Sequence, residues 1–117
     1  MTQGKVKIDG TKFGEITING KPYDSDMTVY WDGRLAYRGK DHIIELGEFM
    51  KILKSEPEIL VIGAGQNGIV KVSEVVAEWA KNKKVDIYSE ATPKAIDIFN
   101  AFVSQGKKAV GIFHVTC

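Results

Sequence analysis

The apolar positions of this chain follow two different periods, and the change falls near residue 45. Before that point, apolar residues alternate with polar ones, which is typical of strands. The dipeptides Asn19-Gly20 and Asp32-Gly33 favour tight hairpin turns, because both central residues of such turns need a positive φ. A strand is predicted over 27–31, and 35–37 is predicted to pair back with it. The first half is therefore predicted to form antiparallel hairpins, with an apolar set of Val6, Ile8, Phe13, Ile16 and Ile18.

After residue 45 the period becomes 3.6, and predicted helices alternate with predicted strands. Strands are expected over 59–62, 85–88 and 109–115, where apolar residues are concentrated. A short helix before the first of these strands carries an apolar face of Leu46, Phe49, Met50 and Leu53. A second helix is predicted to begin directly after the glycine-rich loop at 63–68, with an apolar stripe of Ile69, Val72, Val76, Trp79 and Ala80.

The third predicted helix has signals at both of its ends. Thr92 is a good N-cap residue, and Pro93 occupies the favoured first helical position. Gly106 is expected to end the helix in a left-handed conformation. The second half thus has the order β-α-β-α-β, which predicts an α/β fold with parallel or mixed strands. Residues 1–117 are expected to form a single compact domain.

Composition and charge narrow the classes of function. The chain has 117 residues, 44% apolar and 26% charged, as expected for one globular domain. Its formal net charge is +1, so no global field attracts nucleic acid or an anionic membrane. The apolar run at 59–62 is far too short to span a membrane, and the N-terminus resembles no secretory leader. Neither nucleic acid nor a membrane is expected as a partner, and a cytoplasmic location is predicted.

Three glycines form the most suggestive motif in the sequence. Gly63, Gly65 and Gly68 fit the pattern GxGxxG after a strand, where backbone amides can approach a phosphate. Glu90 lies at the end of the next strand, where a ribose-binding acid would stand. A hairpin half precedes this strand, however, and only two strands follow it. A tight turn, a loop that binds a small anionic ligand and a dinucleotide site therefore all remain open.

The C-terminus and one helical amide are further candidates. His114 and Cys117 could form a reactive pair or part of a metal site, although an ordered terminus packed on the domain is the favoured interpretation. The only other histidine, His42, lies in a distant segment of the sequence. Asn100 stands beside the buried arc of the third helix, where an amide caps or bridges backbone groups of a neighbouring loop or contacts a ligand.

A local basic cluster precedes the first helix. It contains Arg34, Arg38, Lys40 and His42, and it is diluted by nearby carboxylates. A solvated surface is the expected role of this cluster.

Several of these segments together resemble a known family. The chain is similar to the adipogenesis-associated Mth-type domain family, which includes small archaeal and bacterial proteins and relatives of the mitochondrial complex I assembly factor. The resemblance is strongest over 57–117. The matching residues are Leu60-Val61-Ile62-Gly63-Ala64-Gly65, Lys71-Val72, Asp86, Thr92, Ala95, Phe99-Asn100 and the ending Gly111-Ile112-Phe113-His114-Val115-Thr116-Cys117.

The resemblance implies a three-layer fold. It implies a central mixed sheet, with helices on one side and a layer of strands plus a helix on the other. It implies no established reaction, and the better-known eukaryotic members act in assembly or regulation through other proteins.

Two hypotheses of function follow. The first is a non-catalytic binding or assembly protein with a protein partner and no cofactor; a homo-oligomer is also open. The second is a protein, or an enzyme, that binds an anionic or nucleotide-like ligand in a cleft at Gly63–Gly68, Glu90, Thr92 and Asn100. No complete catalytic constellation is present in the sequence, so no catalytic residue is assigned.

Overall fold

A five-stranded mixed sheet lies at the centre of the computed structural model, which describes residues 6–39, 41–65, 68 and 70–116. Ten strands and three helices follow one another along these described residues. They are β1 (Ile8–Lys12), β2 (Glu15–Ile18), β3 (Lys21–Tyr23), β4 (Asp26–Tyr30), β5 (Leu35–Arg38), β6 (Ile43–Ile44), α1 (Leu46–Leu53), β7 (Ile59–Gly63), β8 (Lys71–Val72), α2 (Glu74–Asn82), β9 (Asp86–Glu90), α3 (Thr92–Ser104) and β10 (Ala109–Phe113).

The central sheet has the order β5-β4-β10-β7-β9. Strands β10, β7 and β9 run parallel to one another, whereas β4 pairs antiparallel with both β10 and β5. All five residues of β7 and all five of β10 are buried, because both faces of these strands are covered. The apolar run at 109–115 thus contains a central strand.

Alternate residues of the sheet supply two separate cores. Val61 and Phe113 face a core shared with α3 and with the apolar residues of β1 and β2. Leu60, Ile62 and Ile112 face a second core on the side of α1 and α2. The small antiparallel sheet β1-β2-β3 and α3 therefore form one outer layer, and α1 and α2 form the other. This arrangement confirms the predicted single α/β domain with three layers.

The N-terminal hairpins follow their turn residues. Asn19 and Gly20 connect β2 to β3 with φ angles of 50° and 81°. Asp32 and Gly33 lie between the paired strands β4 and β5, as predicted. Phe13 is an exception within the predicted apolar set, because 64% of it is exposed at the turn between β1 and β2.

The start of the second helix differs from the prediction. Val72 does not belong to α2 but to β8, which pairs in parallel with β6 through Ile44. Helix α2 begins at Glu74, and the hydroxyl of Ser73 caps it by accepting a hydrogen bond from the Val76 amide at 3.2 Å. Ile69, the first member of the predicted stripe, lies outside the described residues. The glycine-rich loop therefore leads into a strand and not into a helix N-terminus.

The start of α3 also differs from the prediction. Thr92 is the first helical residue, Ala91 occupies the N-cap position, and no side chain caps the helix. Pro93 lies in the first turn, as expected, and Gly106 follows the helix with a φ of 81°. The prediction of Thr92 as an N-cap was wrong, because its hydroxyl bonds to two other segments.

Among the described residues, no helix is both long and apolar enough to cross a membrane.

Candidate functional site

A buried ion cluster lies beneath α1, where β4 begins and where β5 and β10 end. We define it as Asp26, Arg38, Glu48 and His114. The strand register places Asp26 opposite Arg38 and places Phe113 opposite Met27, so His114 falls beside Asp26 on the adjoining strand. Asp26 is 0% exposed and His114 is 1% exposed. Charged groups this deeply buried require partners, and each member of the cluster has them.

Asp26 uses both of its carboxylate oxygens. Oδ2 lies 2.6 Å from Nδ1 of His114 and 3.5 Å from Nη1 of Arg38. Oδ1 accepts a hydrogen bond from the Val115 backbone amide at 3.1 Å. The carboxylate thus joins β4 to its two neighbouring strands.

Arg38 connects the sheet to α1. Its Nε and Nη2 donate to the two carboxylate oxygens of Glu48 at 2.7 and 3.0 Å, which is a bidentate pair. Burial alone lowers the pKa of Arg38, but the hydrogen bonds to Glu48 and the charges of Glu48 and Asp26 outweigh it and raise that pKa. The prediction of a solvated basic cluster was wrong for Arg38, whose side chain is only 6% exposed. Arg38 is the last residue of β5, and its side chain points inward, under the first turn of α1.

His114 has a partner at each ring nitrogen. Asp26 occupies Nδ1, and Nε2 lies 3.1 Å from the hydroxyl oxygen of Thr116. The ring centroid of His42 is 5.4 Å away in an edge-on arrangement. His42 is distant from His114 in the sequence, but the fold brings it, just before β6, next to the residue that follows β10.

The environment of His114 limits its chemistry. Asp26, His114 and the Thr116 hydroxyl form a series of hydrogen-bonded groups in the order Asp-His-hydroxyl, which also occurs in catalytic triads. The adjoining cavity has a volume of about 50 Å³, and Lys12, Thr92 and Thr116 are among its lining residues. This space holds a few water molecules and no substrate. No group of three potential metal ligands was found among the described residues, and Cys117 lies outside them.

The predicted loop is closed by internal hydrogen bonds. The Gly65 amide donates to the Thr92 hydroxyl at 2.9 Å, and that hydroxyl donates to the His114 carbonyl oxygen at 2.7 Å. The Ala64 amide donates to the Glu90 carbonyl oxygen at 2.9 Å. These two amides are consequently occupied within the protein. Gly68 is exposed with a φ of 67°, whereas Gln66 and Asn67 lie outside the described residues.

Gly63 has a packing reason to be glycine. A Cβ at this position would lie 2.8 Å from Cδ1 of Phe113 and 3.1 Å from the hydroxyl oxygen of Thr92. The close approach of these side chains excludes a methyl group. Glu90 is exposed and pairs with Lys94 at 3.9 Å.

Asn100 does not join this loop. Its Oδ1 accepts from the Ile8 amide at 3.0 Å, and its Nδ2 donates to the Ile8 carbonyl oxygen at 2.8 Å. This bidentate contact shows the predicted bridging of backbone groups, but the bridged segment is strand β1 and not a loop. Because Asn100 lies eight positions after Thr92 in the helix, the two lie roughly 12 Å apart along α3. The structure brings Gly63, Gly65 and Thr92 together and leaves Asn100 elsewhere; ligand binding at these positions stays a prediction.

An open groove lies between α1 and α2, in the outer layer on the other side of the central sheet from α3. Its volume is about 540 Å³, within the range of binding sites. The apolar lining consists of Met50, Leu53, Pro57, Trp79 and Val85, and the polar lining consists of Lys54, Glu56 and Lys83. Met50 is 40% exposed, although its helical spacing predicts a core position.

Sequence reasoning did not identify this groove. Met50 and Trp79 belong to helical stripes, and a stripe does not reveal whether a neighbouring helix covers it. One feature of the sequence could have indicated the groove: the apolar face of α1 is wide and includes both Phe49 and Met50. Phe49 fills the core, so Met50 is left beside the gap between the helices.

These features define the class of protein. It is a small α/β domain with a mixed sheet, a buried ion cluster at the strand ends and an open apolar groove between two helices. The chain belongs to the family described as "Protein of unknown function (DUF498/DUF598)", whose model matches residues 8–114.

Solved structures agree with this membership. The chain is similar to the conserved hypothetical protein PH1505 from Pyrococcus horikoshii OT3, with 25% identity and a TM-score of 0.85, over 95% of this chain and 99% of that one. It is similar to MT938, with 27% identity and a TM-score of 0.80, over 97% and 100% of the two chains. A Mth938-like domain from Bordetella pertussis has the same fold at 12% identity, with a TM-score of 0.67 over 98% and 89%. The resemblance to the Mth-type domain family is thereby confirmed.

Proposed function

We propose that this protein is a non-catalytic binding domain that holds a segment of another protein in the groove between α1 and α2. The observation that carries this proposal is the solvent-accessible apolar lining formed by Met50, Leu53 and Trp79. Tryptophan and methionine are enriched in protein interfaces, and the flexible thioether of methionine adapts to different partner surfaces. The groove therefore has the side chains and the volume to receive large apolar residues.

The ion cluster supports a non-catalytic function. In the described part of the chain, only the imidazole of His114 is oriented by an aspartate, and both of its ring nitrogens already have partners. The cavity beside it has a volume of only about 50 Å³, which leaves little space for a substrate next to His114. A structural role, in which the cluster fastens the sheet to α1, accounts for every contact that these side chains make.

A pull-down with quantitative mass spectrometry tests this function. The full chain is used to recover proteins from a lysate of the source organism, in parallel with the variants Met50→Lys and Tyr37→Ala. Tyr37 is a suitable control because it is 70% exposed and does not line the groove. We expect a protein that binds the native chain and Tyr37→Ala directly, as purified components, but not Met50→Lys. Recovery of no specific protein, or equal recovery by all three forms, would contradict the proposal.

A further inference from the structure

The charge around the groove identifies the kind of partner it fits. The two segments that form it, 50–58 and 79–85, contain five lysines and two glutamates, which is a formal charge of +3. Since the whole chain carries +1, the remaining residues carry −2. Positive charge is thus concentrated on the two segments that form this apolar groove.

The lysines of these segments are available to a partner. Lys54 and Lys83 line the groove, and Lys81 and Lys84 are exposed on the same segment as Lys83. Lys51 is exposed on α1 but lines the cavity beside Arg38 and Glu48. Within the described ranges, none of these five ammonium groups lies in a salt bridge of this chain. Lys83 Nζ stands 5.8 Å from the centroid of the Trp79 ring, so a cation adjoins the apolar lining directly. Charges in such a position attract carboxylates and select partners by sign.

The shape of the surface favours a polypeptide segment. A membrane surface requires apolar side chains that protrude, whereas Leu53 and Trp79 line a concave groove and are partly buried. Single-stranded nucleic acid requires exposed aromatic faces on which successive bases stack, and Trp79 is the one aromatic residue in this lining. A single polypeptide strand with one large apolar side chain fits the volume of the groove. Acidic residues next to that side chain would reach the rim of the groove.

This inference rests on the function proposed above. We propose that the groove binds a polypeptide segment that carries one or two large apolar side chains flanked by aspartate or glutamate. The apolar side chains pack against Met50, Leu53 and Trp79. The flanking carboxylates pair with Lys54 and Lys83 at the two sides of the groove.

Selection from a random peptide library displayed on phage tests this inference. The full chain is the bait, and peptides that also bind Met50→Lys are removed. We expect the enriched peptides to combine an apolar anchor with acidic neighbours. Their binding, measured by fluorescence anisotropy, should weaken by about tenfold in the double variant Lys54→Glu/Lys83→Glu. Peptides in which the acids are replaced by lysine should bind that variant better than the native chain.

Matched controls separate the two proposals. The double variant Lys71→Glu/Lys107→Glu changes the net charge equally at exposed positions outside the groove, and it should leave binding unchanged. Enriched peptides that depend on Met50 but show no acidic preference would overturn the charge inference and leave the docking function standing. No enriched peptide that depends on Met50 would overturn both. Tighter binding of a single-stranded RNA probe than of any peptide would also overturn the inference.

Discussion

The carboxylate of Asp26 lies 2.6 Å from Nδ1 of His114, and both side chains are buried although 88 positions separate them in the sequence. Asp26 stands in the β4–β5 hairpin, and His114 follows the last strand. Their contact joins the N-terminal half of the chain to the C-terminal half within one sheet. The remaining ring nitrogen meets Thr116, so this pair is enclosed by the protein on both sides.

Replacement of Asp26 by alanine should destabilise the protein strongly. The change leaves Arg38 and His114 without their buried acceptor and leaves the Val115 amide unpaired. We expect the free energy of unfolding in urea to fall by about 3–5 kcal/mol. Asp24→Ala, at an exposed position two residues away, should change it by less than about 0.5 kcal/mol. Equal effects of the two substitutions would show that the ion cluster contributes no specific stability.

Thr92→Val should also destabilise the protein, but to a smaller extent. The hydroxyl of Thr92 bridges the Gly65 amide and the His114 carbonyl oxygen in a buried position, and valine satisfies neither. A loss of about 1–3 kcal/mol is expected from urea denaturation. Thr92→Ser keeps the hydroxyl and should retain most of the stability. If valine and serine behave alike, the hydroxyl bridge is not the stabilising element.

Two glycine substitutions should change stability in opposite directions. Alanine at Gly63 would place a methyl group against Phe113 and Thr92, which should cost about 1–3 kcal/mol in the free energy of unfolding. Alanine at Gly47, in α1, meets no atom within 4 Å and should stabilise the helix by up to about 1 kcal/mol. Thermal denaturation of both variants measures the difference. A stable Gly63→Ala variant would mean that the loop keeps its glycine for another reason, such as contact with a ligand.

Substitution of Asn100 should separate the structural role of this residue from a ligand-binding role. Asn100→Ala removes both hydrogen bonds to the Ile8 backbone, and we expect a loss of about 1–3 kcal/mol of stability. Asn82→Ala, at the exposed end of α2, should have a small effect. Urea denaturation measures both variants. An undiminished stability of Asn100→Ala would contradict the structural role and restore interest in a ligand contact.

The turn between β4 and β5 should make a small contribution to stability that depends on pH. Partial burial raises the pKa of Asp32, but the hydrogen bonds and the charge of Arg34 outweigh it and lower that pKa below its usual value. A carboxyl whose pKa is lower in the folded state stabilises the protein above the usual pKa of about 3.9 and loses this effect as the pH falls through the folded pKa. Since the side chain of Asp32 is 40% exposed, screening by solvent keeps the effect small.

Urea denaturation at neutral and acidic pH tests this contribution. At pH 7 the native chain should be more stable than Asp32→Asn, and the difference should shrink on acidification below the folded pKa. Asp97→Asn, at an exposed position on α3, is the matched control and should show no such change. A difference that grows towards acidic pH would contradict the sign of the pKa shift.

Local patterns predicted most of the elements and failed at particular boundaries. The hairpin at Asn19-Gly20 and the end of α3 near Gly106 depend on φ angles that these residues adopt readily, so the sequence reports them directly. The start of α2 was predicted too early because Val72 fits a helical stripe as well as it fits a strand. Strand β8 exists only because β6, nearly 30 positions earlier, provides its hydrogen-bonding partner. Pairing of that kind has no local signal.

The sequence by itself determined the class of fold and the family, and it left open whether Asn100 bridges backbone groups or contacts a ligand. The class of fold and the family depend on periodicity, on turn residues and on short motifs, each of which is a property of neighbouring positions. Only the tertiary structure decided that Arg38 is buried, that His42 approaches His114 and that the glycine loop bonds to Thr92. It also decided that Met50 borders an open groove. These contacts join residues that are far apart in the chain, and their burial and partners follow from strand register and helix packing, which no single segment encodes.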